Sequence, residues 1–100
     1  MDQEMFDWKS GRIVFWDLDG INEVAPLSEQ VDDLKEDLAQ IAFPGGTILD
    51  LGWYPSFDPQ GEFKVTVVQN GDWERPVLQV GAKDLRSLKR QILLAISSSV

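Results

Sequence analysis

The stretch TILDLGWYPSFDPQGEFKVTVVQNGDWERPVLQVGA, residues 47–82, decides the fold. In 47–54, Leu49, Leu51 and Trp53 alternate with Ile48, Asp50, Gly52 and Tyr54. In 62–69, Phe63, Val65 and Val67 point one way and Glu62, Lys64 and Thr66 the other. This period of two predicts antiparallel strands with one buried and one wet face. Trp53 and Phe63 fall in phase with the apolar side and are assigned to the core. Residues 55–61 are a hairpin loop, Asn70-Gly71 is a tight-turn signal, and Pro76 suits the start of an edge strand over 77–82. Connections this short impose antiparallel pairing, because a parallel pair needs a crossover of a dozen residues or more.

Outward from this core, RIVFWDL (12–18) is short and rich in β-branched and aromatic types, which predicts a strand. PLSEQVDDLKEDLAQIAFPGG (26–46) reads as a helix. Ser28 is its N-cap, Glu29, Asp32 and Asp33 lie near its positive end, and Val31, Leu34, Leu38 and Ile41 share one face. A second helix starts at Asp84 and buries Leu85, Leu88, Ile92, Ala95 and Ile96, with a C-terminal Ser97–Val100 expected to fray. The expectation is a single domain, 1–100, of α+β class. It is a two-layer sandwich with a mainly antiparallel sheet in β-α-β-β-β-α order and both helices on one face. The acidic first helix and the basic last helix would then lie side by side and neutralise each other.

Composition narrows the chemistry. The chain has no cysteine and no histidine, which removes disulfides, the usual zinc ligands and the common histidine-based nucleophile pairs. No apolar run reaches the roughly 20 residues of a membrane span, and MDQEMFDWKS lacks the basic and apolar regions of a secretory signal. The chain therefore reads as a cytoplasmic monomer. Its net charge of −8 is uneven: residues 1–60 hold 13 Asp and Glu against 3 Lys and Arg, residues 61–100 hold 4 against 6. Such a chain repels nucleic acid and anionic membranes and attracts basic partners.

One short motif suggests catalysis. IVFWDLDG (13–20) is similar to the nucleophile motif of the haloacid dehalogenase superfamily of phosphotransferases. That resemblance implies a Mg²⁺-dependent phosphatase in which Asp17 attacks phosphorus and Asp19 handles protons. The remaining motifs do not follow. TILDLGWY lacks a terminal Ser or Thr, Lys83 lacks the context of the motif lysine, and Asp32-Asp33 precedes the strands it should follow. That superfamily also needs repeated parallel crossovers, which 47–82 forbids. The reading is of a non-enzyme with no catalytic residues, no cofactor and no metal, since Asp17 and Asp19 lack further oxygen ligands.

The surface is more informative. Tyr54, Phe57, Asp58 and Glu62 in one loop region, and Asp72, Trp73 and Glu74 in another, interleave aromatic and acidic side chains, the types that anchor protein interfaces and steer basic partners. In a meander the two groups lie at opposite ends of the sheet. The run GTILDLGWYPSFDPQGEFKVTVVQNGDWERP (46–76) resembles small acidic bacterial immunity proteins of contact-dependent inhibition and related polymorphic toxin systems. The resemblance covers about thirty residues. It implies a protein-binding inhibitor that neutralises a cognate toxin domain, often a basic nuclease, by electrostatic and shape complementarity, and it transfers no catalytic residue. The alternative is a general protein-interaction or accessory module with a constitutive partner.

Overall fold

The structure is a computed structural model that describes residues 1–100. Five strands form one sheet: β1 (Arg12–Trp16), β2 (Ala39–Phe43), β3 (Thr47–Tyr54), β4 (Glu62–Gln69) and β5 (Leu78–Ala82). Each strand pairs antiparallel with its sequence neighbour, giving the order β1-β2-β3-β4-β5. A single helix, α1 (Leu85–Ser99), packs across β3, β4 and β5.

The alternation in 47–82 orients the sheet as expected. Ala39, Leu51, Val65 and Val80 stand in one cross-strand row, and Ile41, Leu49, Val67 and Leu78 in another, all on the core side of the sheet. Trp53 and Phe63 sit opposite each other and meet edge to face at 4.9 Å between ring centres. Trp53 Nε1 donates to the Asp58 carbonyl oxygen at 2.8 Å, so its burial leaves no polar atom unmet. Leu88, Ile92, Ala95 and Ile96 close this core from α1, with Leu85 half-buried at the margin. Asp84 caps the helix by accepting the Ser87 N–H at 2.7 Å. The end predicted to fray stays helical to Ser99, with the Ser98 and Ser99 hydroxyls donating back to the Leu94 and Ala95 carbonyl oxygens.

The helix expected over 28–43 does not form, and the order is β-β-β-β-β-α. Leu27–Glu29 and Val31–Asp33 are single 3-10 turns, residues 34–38 run as an irregular strap, and Ala39–Phe43 is β2. Like charges explain the failure. Between 29 and 37, five of nine residues are acidic, and a helix would stack Glu29 with Asp33, Asp32 with Glu36, and Asp33 with Asp37. Ala39, Ile41 and Phe43 instead alternate at period two and pair with β3. Leu34, Leu38 and Ile41 are still buried, as their spacing predicts, but in a different conformation. With only one helix, two helices cannot share a face. The β1–β2 side of the core is covered by Met1, Leu18, Ile21 and Leu34, with Phe6, Trp8 and Trp16 packed as an aromatic trio. Charge neutralisation between helices shrinks to one contact with α1, Lys89 to Glu23 at 2.8 Å.

The strap is bonded to the end of β3, beyond its last pair with β2, rather than merely resting on it. Leu38 N–H donates to Leu51 O at 3.0 Å, Trp53 N–H to Lys35 O at 2.7 Å, and Phe57 N–H to Leu34 O at 2.7 Å. Between these bonds Glu36 and Asp37 bulge over Gly52, where any Cβ would meet the Glu36 carbonyl oxygen. We expect Gly52→Ala to destabilise the protein by at least about 2 kcal/mol in urea unfolding, because backbone rather than a yielding side chain blocks the methyl. An unchanged midpoint would mean that the strap is not fixed against β3.

Candidate functional site

The sheet face opposite α1 has no covering layer of secondary structure. Across it, register aligns Phe15, Gln40, Asp50, Thr66 and Gln79, one residue from each strand. Beside that row, Ala42, Ile48 and Val68 make an apolar strip. On the other side come Gly52 and Lys64, then Tyr54 opposite Glu62. The Glu62 carboxylate reaches across to lie over Gly81.

Two adjoining clefts open on this face. One, of about 240 Å³, is lined by Phe15, Asp37, Ala39, Gln40 and Asp50. The other, of about 390 Å³, lies between Phe15 and Phe57 above Lys35, Glu36, Asp37 and Ser56. The bulge in the strap brings Asp37 to both clefts. A β-bulge in β1 between Ile13 and Phe15 leaves both Val14 and Phe15 exposed and turns Phe15 to the same face as Gln40. Phe57 is also exposed and holds a positive φ of 61°, fixed by its N–H bond to Leu34 O.

Three carboxylates at this face make no ion pair. The four ion pairs of the chain employ Asp7, Asp17 and Glu23 as their acids, leaving Glu36, Asp37 and Asp50 outside. Burial, then the neighbouring Asp37 charge, pushes Asp50 up to about 6. The Tyr54 hydroxyl is pushed above its ordinary range by burial and by the charges of Asp50, Glu36 and Asp37. Lys64 approaches the Tyr54 ring, 5.6 Å from its centre, as a local counterweight. Lys35 is committed elsewhere: its hydrogen bond to Asp17 holds its ammonium above the usual range.

The residues expected to bind a partner are divided. Tyr54, Phe57, Asp58 and Glu62 gather at the strap end of the sheet. Asp72, Trp73 and Glu74 are exposed at the opposite end, beside the β2–β3 turn, where Asn70 N–H donates to Gly46 O at 2.9 Å. Asp58 is occupied in its own loop. Its side chain accepts the Gln60 N–H, and its carbonyl oxygen accepts from Gly61 N and Trp53 Nε1. Phe15, Glu36, Asp37, Gln40 and Asp50 were not in the expected set. The one available signal for them was Asp50, an acid inside an apolar strand, a position where Asp is depleted.

Asp17 and Asp19 have local partners. Asp17 pairs with Lys35, and Asp19 accepts Trp16 Nε1 at 3.2 Å. The all-antiparallel sheet lacks the crossovers of the dehalogenase fold. Comparison of the chain with protein-family models, curated proteins and solved structures gives no match.

The raised Asp50 fixes the sign of one pH effect. The folded protein holds this proton more tightly than the unfolded chain, so its contribution to stability is full below about 4 and is lost as pH rises through about 6. Asp50→Asn should remove that fall and raise stability at pH 7 by about 1 kcal/mol, a figure reduced for the solvent still reaching this half-buried carboxylate. Urea unfolding at pH 4.5 and 7 checks it: equal wild-type and variant stabilities at pH 7 would refute the assignment.

Proposed function

We propose that this chain is a non-catalytic protein-binding inhibitor, an immunity protein that neutralises a cognate toxin domain with a basic surface. The observation that carries the reading is the uncovered sheet face, where Glu36, Asp37 and Asp50 stand unpaired beside exposed Phe15 and Phe57. Carboxylates brought together with no counter-charge repel one another and weaken a fold. A basic partner relieves that repulsion, and Phe15 on β1 with Phe57 on a loop bonded to the strap supplies aromatic contact area at low entropic cost. The resemblance of 46–76 to immunity proteins supports the same role, and the overall charge of −8 favours fast capture of a basic domain. The strap end of the sheet, with Tyr54, Phe57 and Glu62, is the favoured contact. Asp72, Trp73 and Glu74 form a separate patch too distant to join it in a small interface.

The test is a growth rescue. The C-terminal domain encoded by the adjacent large gene is expressed in a bacterium with and without this chain. Arrest relieved only by this chain supports the role, and arrest that persists despite soluble co-expression refutes it. In the purified complex, association should slow as ionic strength rises. Phe57→Ala combined with Glu62→Lys should weaken binding by about tenfold or more, while Asp72→Lys with Glu74→Lys should change it little. The reverse ranking would move the interface to the other end of the sheet.

A further inference from the structure

We propose that the open sheet face docks a basic segment of the partner by taking one of its arginine side chains into the cleft between Phe15 and the Asp37–Asp50 pair. This deepens the reading of the chain as an acceptor of a basic partner and rests on it.

Three properties of the face select the occupant. First, no helix covers this face, and although Thr66 and Val68 of β4 are buried, Phe15 is 43% exposed on an edge strand. Second, the cleft beside it is about 240 Å³, below the roughly 300–1,000 Å³ of small-molecule pockets. It therefore suits a single side chain. Third, its lining combines a flat aromatic wall, two carboxylates and the Gln40 amide. An ammonium could satisfy the carboxylates alone. A guanidinium also stacks on the ring and directs its several planar N–H donors to Asp37, Asp50 and the Gln40 oxygen. The adjoining cleft of about 390 Å³, running to Phe57, accommodates the chain on either side of that arginine.

The local electrostatics agree. Asp50 is held near 6 because it is partly buried with another acid and without a cation. The groups facing it are Asp37 from the strap, Gln40 from β2, Thr66 from β4 and Phe15 from β1, with Tyr54 further along its own strand. None is a cation. An arriving guanidinium would lower the pKa of Asp50 and release a proton at mildly acidic pH.

The probe is a hexapeptide of alternating glycine and arginine, compared with the same peptide carrying lysine, titrated at low salt into the ¹⁵N-labelled chain. Amide shifts should centre on Phe15, Asp37, Gln40 and Asp50. The arginine peptide should bind about threefold or more tightly than the lysine peptide. The Asp50 carboxyl, followed by ¹³C shift, should move from about 6 toward ordinary carboxylate values when the peptide is bound. Phe15→Ala should abolish the preference for arginine, and Asp37→Asn with Asp50→Asn should weaken the arginine peptide about tenfold. Asp37 is exposed, so Asp37→Asn alone keeps the test open if the double variant does not fold. Shifts centred on residues 29–33 or 72–74, or equal affinity for both peptides, overturn the proposal. Self-association of the free chain that is abolished by Asp37→Asn also overturns it, assigning the face to a second copy and its basic α1. No toxin is needed here, so this result and the growth rescue fail independently.

Discussion

One helix is too narrow for five strands, and the rest of the structure follows from that mismatch. A helix with its side chains is about 10–12 Å across, whereas five strands at about 4.8 Å spacing span nearly 20 Å. The main strand contacts of α1 are with β5, β4 and β3. The core under β1 and β2 must be sealed by chain without regular structure, and residues 17–38 do this with Leu18, Ile21 and Leu34. A segment that runs on past the end of β2 has to bond its backbone to the exposed end of β3, which gives the three hydrogen bonds that tie residues 34–38 to β3 and to Phe57. The bulge between those bonds then places Asp37 above the other face. The cleft is thus a by-product of how the opposite side is closed.

The sequence was most readable where a single signal sufficed. Alternation marked β3 and β4 to their observed limits, Asn70-Gly71 marked the turn, and Asp84 marked the helix start. Residues 26–43 carried two conflicting signals. Leu34, Leu38 and Ile41 satisfy a helical stripe, while Ala39, Ile41 and Phe43 satisfy strand alternation. The repulsion among Glu29, Asp32, Asp33, Glu36 and Asp37 was the local argument against the helix. The need of β3 for a second neighbour opposite β4 was not local at all.

The site was less readable than the fold for the same reason. Tyr54 and Phe57 stood out as aromatic residues near a long loop, but Asp50 gains its character from burial beside a strand that the helix reading removed, and then from Asp37, thirteen positions earlier. Phe15 reaches the face through a bulge in β1, and nothing in Arg12–Trp16 announces one. Trp73 shows the converse. It stood out in the sequence and is exposed, yet it stands at the end of the sheet where carboxylates do not converge on a cleft.

The neighbour-to-neighbour pairing of the sheet has a consequence for how the chain folds. The turns at 44–46 and 55–61 close β2, β3 and β4 over short distances, so these strands gain contacts after little loss of chain entropy. β1 is different, because 22 residues separate it from β2. The topology favours a central three-stranded nucleus to which β1 and its acidic connector dock late. The aromatic wall on β1 and the Asp37 bulge belong to that late element. A nascent or partly unfolded chain would therefore hold most of its core before it holds a completed cleft.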